Sequence, residues 1–459
     1  MTVTIYLPAT GKAHPPVKTE LVQPSITETL RPFGVRLAAW WSRDWRSKVL
    51  LLLGGVGVLG VIGLLVHKLP VYGQIDLRLF YDFGRTYYEG GELYQLRWEG
   101  FSYLYPPFFA GFVGLFAWVP YPVFALIFNL LSLLSTVLAV VLSLTLLRPQ
   151  LKERQAHRVL LLGLLLSVFF IFYNLQYGQV NTLVLTLVLA GVYRAEQGGD
   201  LRAGVYLGLA FSVKLIPGVF ILYFLLRGRW RILLSSAVVA LVLNVVFPVV
   251  THGFETYLSE IGKYISCMTD FLVSDARFTP WYTNQGLYNA LARLLTDRDF
   301  HYVHSINLVS LSPTAFAWLM RGVKLAVLGS TAFALWRRRR DYEDRLIDYA
   351  LMLAALLLLI GVTGTHHLTL LLPANLLLAY WFYSERRRVG LSLLVFYGAA
   401  INLPLLYYVV SFAAPGFFES NLQYYQAAHF FYPYTVYMTA VWGYLLYRRL
   451  KRREPEPPP

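Results

Sequence analysis

Charge is scarce in this chain: Asp, Glu, Lys and Arg make up 14% of the 459 residues, against 57% hydrophobic. A soluble protein of that length carries more charge on its surface, so the scarcity excludes an ordinary globular domain and points to a polytopic membrane protein built of helices. Cysteine is nearly missing. Cys267 stands alone, which excludes an internal disulfide and a cysteine-based metal site. No P-loop and no Gly-rich dinucleotide fingerprint occurs, so ATP or a nucleotide sugar has no recognisable binding motif. No cluster of His, Asp and Glu has metal-ligand spacing, so no metal is expected, nor any cofactor.

Acidic residues number 25 against 40 basic ones, giving a formal net charge of +15. Such a balance can signal nucleic acid, but here the basic residues gather in short segments between apolar runs. That is the pattern of the positive-inside rule, and no nucleic-acid partner is expected. The partner is the lipid bilayer.

Long uncharged runs are what the chain does have. Val49 to Val66 is one, about the minimum for a bilayer crossing, and Gly100 to Leu147 is another. The first is too far from the N-terminus to be a cleavable signal. Further apolar segments fall near 106–120, 121–147, 159–174, 178–194, 203–226, 232–250, 314–336, 346–364, 367–383, 389–412 and 430–447, which predicts about 12 transmembrane helices. Residues 1–46 read as a cytoplasmic arm, 47–447 as the membrane domain and 448–459 as a disordered basic and Pro-rich cytoplasmic tail. Trp40, Trp41 and Trp45 form an interfacial belt before the first span. Two large outer loops are expected, 68–105 and 251–313, with short interfacial helices capping a cavity. Twelve crossings place Arg148, Lys152, Arg154 and Arg158 outside, against the charge rule. A rival arrangement makes 106–120 and the segment around Lys214 re-entrant.

The stretch Gln74 to Pro107 is polar, aromatic and charged, yet lies between two apolar runs. Leu79, Phe80, Phe83 and Tyr87 recur at helical spacing, which predicts an interfacial helix ended by Gly90 and Gly91. Asp76 heads it and puts a carboxylate at the membrane surface. On spacing alone such a residue is more often a cap or a helix-dipole partner than a catalyst. Asp82, six residues on, is the rival acid.

Lys214 is the residue that physics singles out, because a lysine inside an apolar segment costs several kcal/mol unless it is paired, snorkels or lines a polar cavity. Pro217 breaks the same segment and frees carbonyls there. A phosphate is its natural partner; an ion pair locking two helices is the alternative. Arg321 and Lys324, one turn apart, are candidate second phosphate ligands or snorkelling residues. Gln179 and Asn181 are amides in an apolar run that line a sugar site or bond helix to helix.

An ordered set of short motifs carries a resemblance. DLxxxY at Asp76 to Tyr81 and GxxLY at Gly90 to Tyr94 are followed by YxYPP at Tyr103 to Pro107. GQxN follows at Gly178 to Asn181 and KxxP at Lys214 to Pro217. NQxL with Arg293 and Leu294 begins at Asn284, and His366 with His367 closes the set. In this order they resemble glycosyltransferase family 87. The resemblance implies a GT-C fold and a donor that is a polyprenyl-phosphate sugar, most often mannose. The acceptor is then a glycolipid or glycan at the outer face of the cytoplasmic membrane. It implies that Asp76 is the catalytic base and that Lys214, His366 and His367 hold the donor phosphate. It also makes Tyr105, Gln179, Asn181, Asn284 and Arg293 candidates for substrate binding, beside Asp82, Arg321 and Lys324. This chain has GVTGTHH where the family more often has Ser-Pro and a Trp before the His. Chemistry agrees with the assignment. A sugar on a lipid phosphate is already activated, so one carboxylate for the acceptor proton and cations for the departing phosphate suffice, and direct displacement inverts the anomeric carbon. The competing class is a transporter or flippase of a lipid-linked sugar, which tends to show matched repeat halves; none is visible here.

Overall fold

A left-handed glycine fixes the arrangement around the polar stretch. Gly178 has φ +68°, and a Cβ built on it would lie 2.4 Å from the Cβ of Leu77. Only glycine lets the turn before residue 181 approach the first described helix so closely. That helix, α1 (Ile75–Tyr88), buries Leu77, Leu79, Phe80, Phe83 and Tyr87 on one side, and ends where Gly90 turns at φ +77°. The helix expected over this stretch, with its stop at Gly90, is therefore present.

The computed structural model describes residues 74–94, 97–98, 101–152, 155–273, 284–297, 307–337, 341–385, 388–404 and 433–451. The N-terminal arm, the Trp belt, the first apolar run, most of the stretch after 404 and the end of the tail lie outside the described residues. Apart from a minimal antiparallel hairpin, Arg97–Trp98 with Phe101–Ser102, the described chain is helical. After α2 (Pro107–Gly114) come α3 (Tyr121–Leu147), α4 (Ala156–Leu165), α5 (Val168–Tyr177), α6 (Asn181–Glu196), α7 (Asp200–Val213) and α8 (Gly218–Leu226). Next is α9 (Trp230–His252), with a π segment at Val242–Val246. Then follow α10 (Phe254–Val273), α11 (Leu287–Leu295), α12 (Pro313–Trp336) and α13 (Tyr342–Leu359). A 3-10 turn (Thr365–Leu371) leads into α14 (Leu372–Ser384), α15 (Arg388–Ile401) and α16 (Pro433–Lys451).

Proline places several helix starts. Pro107, Pro122 and Pro313 sit in the first turns of α2, α3 and α12, where a missing N–H costs nothing. Among the described residues α3, α9 and α12 are each long and apolar enough to cross a bilayer, and α4 with α5 would make a fourth span bent by 54°. Leu130 and Leu134 on α3, Leu234 and Leu241 on α9, and Leu325 and Leu328 on α12 are exposed, as side chains facing lipid are. The protein is a multi-pass membrane protein.

Two of the segments counted as single crossings are not. In 106–120 the helix α2 has eight residues, roughly 12 Å at 1.5 Å per residue, too short to span. Both ends of the segment stay beside α1: the Phe109 ring centre lies 5.1 Å from that of Phe80, and the Tyr81 hydroxyl donates to the Val119 carbonyl at 2.8 Å. The segment 203–226 breaks at Lys214 into α7 and α8, and its two ends lie together: Arg229 pairs with Asp200 and donates to the Ala195 carbonyl. The rival, re-entrant reading of both segments fits these contacts.

The helix ends sort into two faces. On one lie Asp76, the turn at 178–181, Lys214 and residues 284–286, which are bridged to Gly364. On the other, Tyr342 donates to the Leu146 carbonyl, Arg345 pairs with Glu196 at 2.8 Å, and Arg448 reaches Glu385. There the Asp348 carboxylate accepts from Arg449 at 2.6 Å and from Arg227 and Tyr223 at 3.0 Å each, a buried network joining α8, α13 and α16. Among the described residues the segment 251–313 supplies α10, a 20-residue helix longer than the short pieces expected there. Glu260 on it accepts from the Leu93 N–H at 3.1 Å and Lys263 pairs with Glu92 at 3.0 Å, so α10 closes over residues 92–94.

Candidate active site

Asp76 lies in the first turn of α1, where the helix dipole favours an anion, but it is not the cap: Gln74 holds that position with no side-chain cap bond. The Asp76 carboxylate instead reaches across the chain. Its Oδ2 accepts from Gln179 Nε2 at 2.7 Å. The Tyr105 hydroxyl donates to the other end of the same amide at 3.2 Å. Gln179 is therefore held at both ends with its donor aimed at the carboxylate, which fixes the amide orientation. Burial pushes the Asp76 carboxyl up to about 6, with the Gln179 hydrogen bond and the Lys214 charge pulling the other way.

Gln74 anchors this end of α1. It is buried, and its amide donates to the Leu175 carbonyl at 2.6 Å and to Asn129 at 2.9 Å, while Asn129 returns a hydrogen bond at 2.9 Å. Sequence reasoning missed this clamp. The signal was available, because Asn129 is an amide within an uncharged run, the criterion that picked out Gln179 and Asn181.

Lys214 caps the C-terminus of α7 in extended conformation, where Pro217 prevents the helix from continuing. Its Nζ donates to Asn181 Oδ1 at 2.9 Å, lies 3.2 Å from Nε2 of His367 and sits 5.5 Å from the centre of the Tyr105 ring. Asn181 opens α6 and its Nδ2 donates to the His366 carbonyl at 3.4 Å. So Asp76, Tyr105, Gln179, Asn181, Lys214 and His367 converge, although they span almost three hundred positions of the chain.

The two histidines part company. His367 turns back as a cap, its Nδ1 accepting from the Gly364 N–H at 2.9 Å. A neutral ring that accepts at Nδ1 carries its proton on Nε2, the atom facing Lys214. The His366 ring meets Tyr173 and Tyr177 instead, with centroids 6.5 and 5.9 Å away, and its Nδ1 is buried without a partner among the described residues. The turn that carries both is braced from residues 284–285. Asn284 Oδ1 accepts from the Thr363 N–H at 3.0 Å, the Gln285 N–H donates to the Thr363 carbonyl at 2.8 Å, and Thr435 donates to the Gln285 carbonyl.

The remaining candidates stand apart. Asp82 pairs with Arg78 at 3.0 Å on its own helix, because six residues turn it to another face of α1 from Asp76. Arg321 is exposed on α12 with its guanidinium 4.6 Å from the Trp318 ring centre, the placement of a side chain snorkelling past apolar surface. Lys324 lies half-buried on the same helix. Arg293 is buried on α11. Asn284 braces the turn described above through its Oδ1.

The sequence profile of glycosyltransferase family 87 matches residues 103–362. A polyprenol-phosphate-mannose-dependent alpha-(1-2)-phosphatidylinositol mannoside mannosyltransferase of Mycolicibacterium smegmatis is 28% identical over 385 residues, covering 78% of this chain and 80% of the relative. Its namesake in Mycobacterium tuberculosis is 28% identical over 393 residues, covering 80% and 85%. A pentamannoside mannosyltransferase of M. smegmatis, dependent on the same donor, is 28% identical over 255 residues and covers 55% of each chain. No solved structure matches the chain.

Proposed function

Because the chain belongs to glycosyltransferase family 87, we propose that it transfers mannose from a polyprenyl phosphate to a hydroxyl of a membrane glycolipid or glycan, with Asp76 as the base. It is a membrane glycosyltransferase that depends on a polyprenyl-phosphate sugar. The observation that carries the assignment of parts is the meeting of Lys214 with His367. As an ammonium, Lys214 offers only donors, and His367 presents a second donor at Nε2 once Gly364 has occupied Nδ1. Two donors 3.2 Å apart leave a demand for an acceptor between them, and an oxyanion such as the donor's phosphate meets it.

The chemistry then divides between two sides of one cluster of side chains. The Asp76 carboxylate takes the proton from the acceptor hydroxyl as that oxygen attacks the anomeric carbon, while the sugar–phosphate bond breaks and its electrons pass to the phosphate oxygen. Lys214 and the His367 Nε2–H stabilise the charge that develops there. Displacement from the opposite side inverts the anomeric configuration. Mannose as the sugar is supported by the dependence named for the relatives, and phosphatidylinositol mannosides are the first acceptors to test.

The two faces support a sidedness. Arg148, Lys152, Arg158, Arg194, Arg202, Arg227, Arg229, Arg231, Arg337, Arg345, Arg448 and Arg449 all belong to the helix ends away from Asp76. By the positive-inside rule that face is cytoplasmic and the catalytic face is outside. The re-entrant α2 is what restores Arg148 to Arg158 to the basic side. With 106–120 and 203–226 both re-entrant, about ten of the twelve apolar segments remain as crossings, an even number that leaves both termini cytoplasmic.

Purified protein in lipid, given radiolabelled polyprenyl-phosphate mannose and phosphatidylinositol mannoside, tests this directly. Wild type should transfer label and Asp76→Ala should not. Equal transfer by both would remove Asp76 from the role of base, and no transfer by either would overturn the assigned reaction.

A further inference from the structure

On the face opposite Asp76, a cavity of about 350 Å3 opens between the turn joining α6 to α7 and the start of α9. Arg194, Arg202 and Arg231 line it, with Gly198, Gly199 and Asp200. Asp200 is the one acid in that lining, and it is already engaged by Arg229 from outside the cavity. Arg194 gives one N–H to Gln197 at 3.1 Å. Arg202 and Arg231 are exposed and make no ion pair among the described residues. Three guanidinium groups thus share one recess with no carboxylate left to neutralise them, an arrangement whose mutual repulsion an oxyanion relieves.

What borders the recess decides between a soluble anion and a lipid. Leu201, itself in the lining, is 60% exposed, and Trp230, which precedes Arg231, and Leu226, three positions before Arg229, are 58% and 67% exposed on the same end of the helices. Their helices α7, α8 and α9 pack beside one another across the bilayer. An anion with a hydrocarbon body satisfies both the arginines and this surface; a free anion satisfies only the first. We propose that this recess binds the phosphodiester headgroup of an anionic phospholipid from the leaflet on that side, with its acyl chains along Leu201, Leu226 and Trp230.

The site has a mechanical link to the catalytic face. The cavity is built on the C-terminal end of α6 and the N-terminal end of α7, and the far ends of the same helices carry Asn181 and Lys214, bonded at 2.9 Å. A headgroup held by Arg194 and Arg202 braces the two helices against each other at one end and so steadies the pair at the other.

Native mass spectrometry of the full-length protein released from nanodiscs of phosphatidylcholine with graded phosphatidylglycerol reads lipid retention directly. Wild type should retain phosphatidylglycerol over phosphatidylcholine. Arg202→Gln with Arg231→Gln should weaken that retention about fivefold per arginine, on the order of twenty- to thirtyfold together. Both side chains are exposed, so the unfolding temperature in pure phosphatidylcholine should match wild type; were the double variant to unfold, Arg202→Gln alone gives the same reading at about fivefold. Equal retention by wild type and variant would overturn the site. Displacement of the lipid by millimolar glycerol phosphate in solution would overturn the assignment to a lipid, since it would show that the apolar border contributes nothing.

Discussion

Lys214 Nζ lies 3.2 Å from Nε2 of His367, while Gly364 donates to the other ring nitrogen at 2.9 Å. The backbone of one turn thereby sets which atom of the ring faces the lysine. Replacing Lys214 by Met keeps the volume and removes the charge. Hydrogen bonds to charged groups contribute about 1.5–3 kcal/mol, so donor KM should rise on the order of tenfold to a hundredfold. The protein should stay folded, because the partners of Lys214 are themselves amide and imidazole groups that reach other polar atoms. Collapse of the variant in detergent would instead make Lys214 a packing residue.

Asp76→Asn separates catalysis from stability. Transfer should fall at least a hundredfold, the usual contribution of a positioned base. Stability should not fall. Burial pushes the folded carboxyl up to about 6 against 3.8 in the unfolded chain, so between those limits the native state binds more protons than the unfolded one. Native stability therefore decreases as pH rises through that window, and the ionised carboxylate is a cost at neutral pH. Thermal unfolding of both proteins at pH 5 and pH 7.5 should show Asp76→Asn gaining on wild type at the higher pH.

The same group shapes the rate profile. The logarithm of kcat/KM should lose one unit per pH unit below about 6, where the base is protonated. Gln179→Leu removes the hydrogen bond that favours the charged form, so its acidic limb should move to higher pH. A limb that stays in place in Gln179→Leu would detach the profile from Asp76.

How much of this was visible in the chain depends on the range of each signal. The spacing of Leu79, Phe80, Phe83 and Tyr87 is local and gave α1 with its stop at Gly90. Asp76, Lys214, Gln179 and Asn181 stood out because a polar group in an apolar run needs a partner. What the run could not show was which partner, since the contact from Asp76 to Gln179 joins residues 103 apart in sequence. Hydropathy also misjudged 106–120: α2 is as apolar as a span and starts at Pro107, but it stops after eight residues at Gly114. Asp82 resembled Asp76 in composition and proximity, and only helical phase separates them.

Gly178→Ala tests the close approach at the base of α1. An alanine there adopts left-handed φ at about 1–2 kcal/mol and meets Leu77 as well, so a loss of stability above that figure is expected. Because the turn carries Gln179, kcat should drop in the surviving folded fraction. An unfolding temperature and kcat equal to wild type would show that the turn relaxes freely.

At the opposite face, Asp348→Ala leaves Arg449 and Arg227 without their common carboxylate. Removing one member of a buried ion network costs about 3–5 kcal/mol, a loss that chemical denaturation should register. Donor KM of the folded fraction should be unchanged, since none of these groups reaches Lys214. A raised donor KM with unaltered stability would contradict the independence of this network from Lys214.

The helices nearest the catalytic cluster are short. α6, α7 and α8 have 16, 14 and 9 residues, roughly 24, 21 and 14 Å at 1.5 Å per residue, all less than the thickness of the hydrocarbon core. Lys214 and Asn181, at their ends, are consequently sunk beneath the level of the surrounding lipid. A substrate tethered to a polyprenyl tail then arrives sideways, diffusing in the plane of the leaflet, and its encounter with the protein is a two-dimensional event. Turnover should follow the mole fraction of donor in the bilayer. Diluting the vesicles in buffer at fixed membrane composition should leave it unchanged.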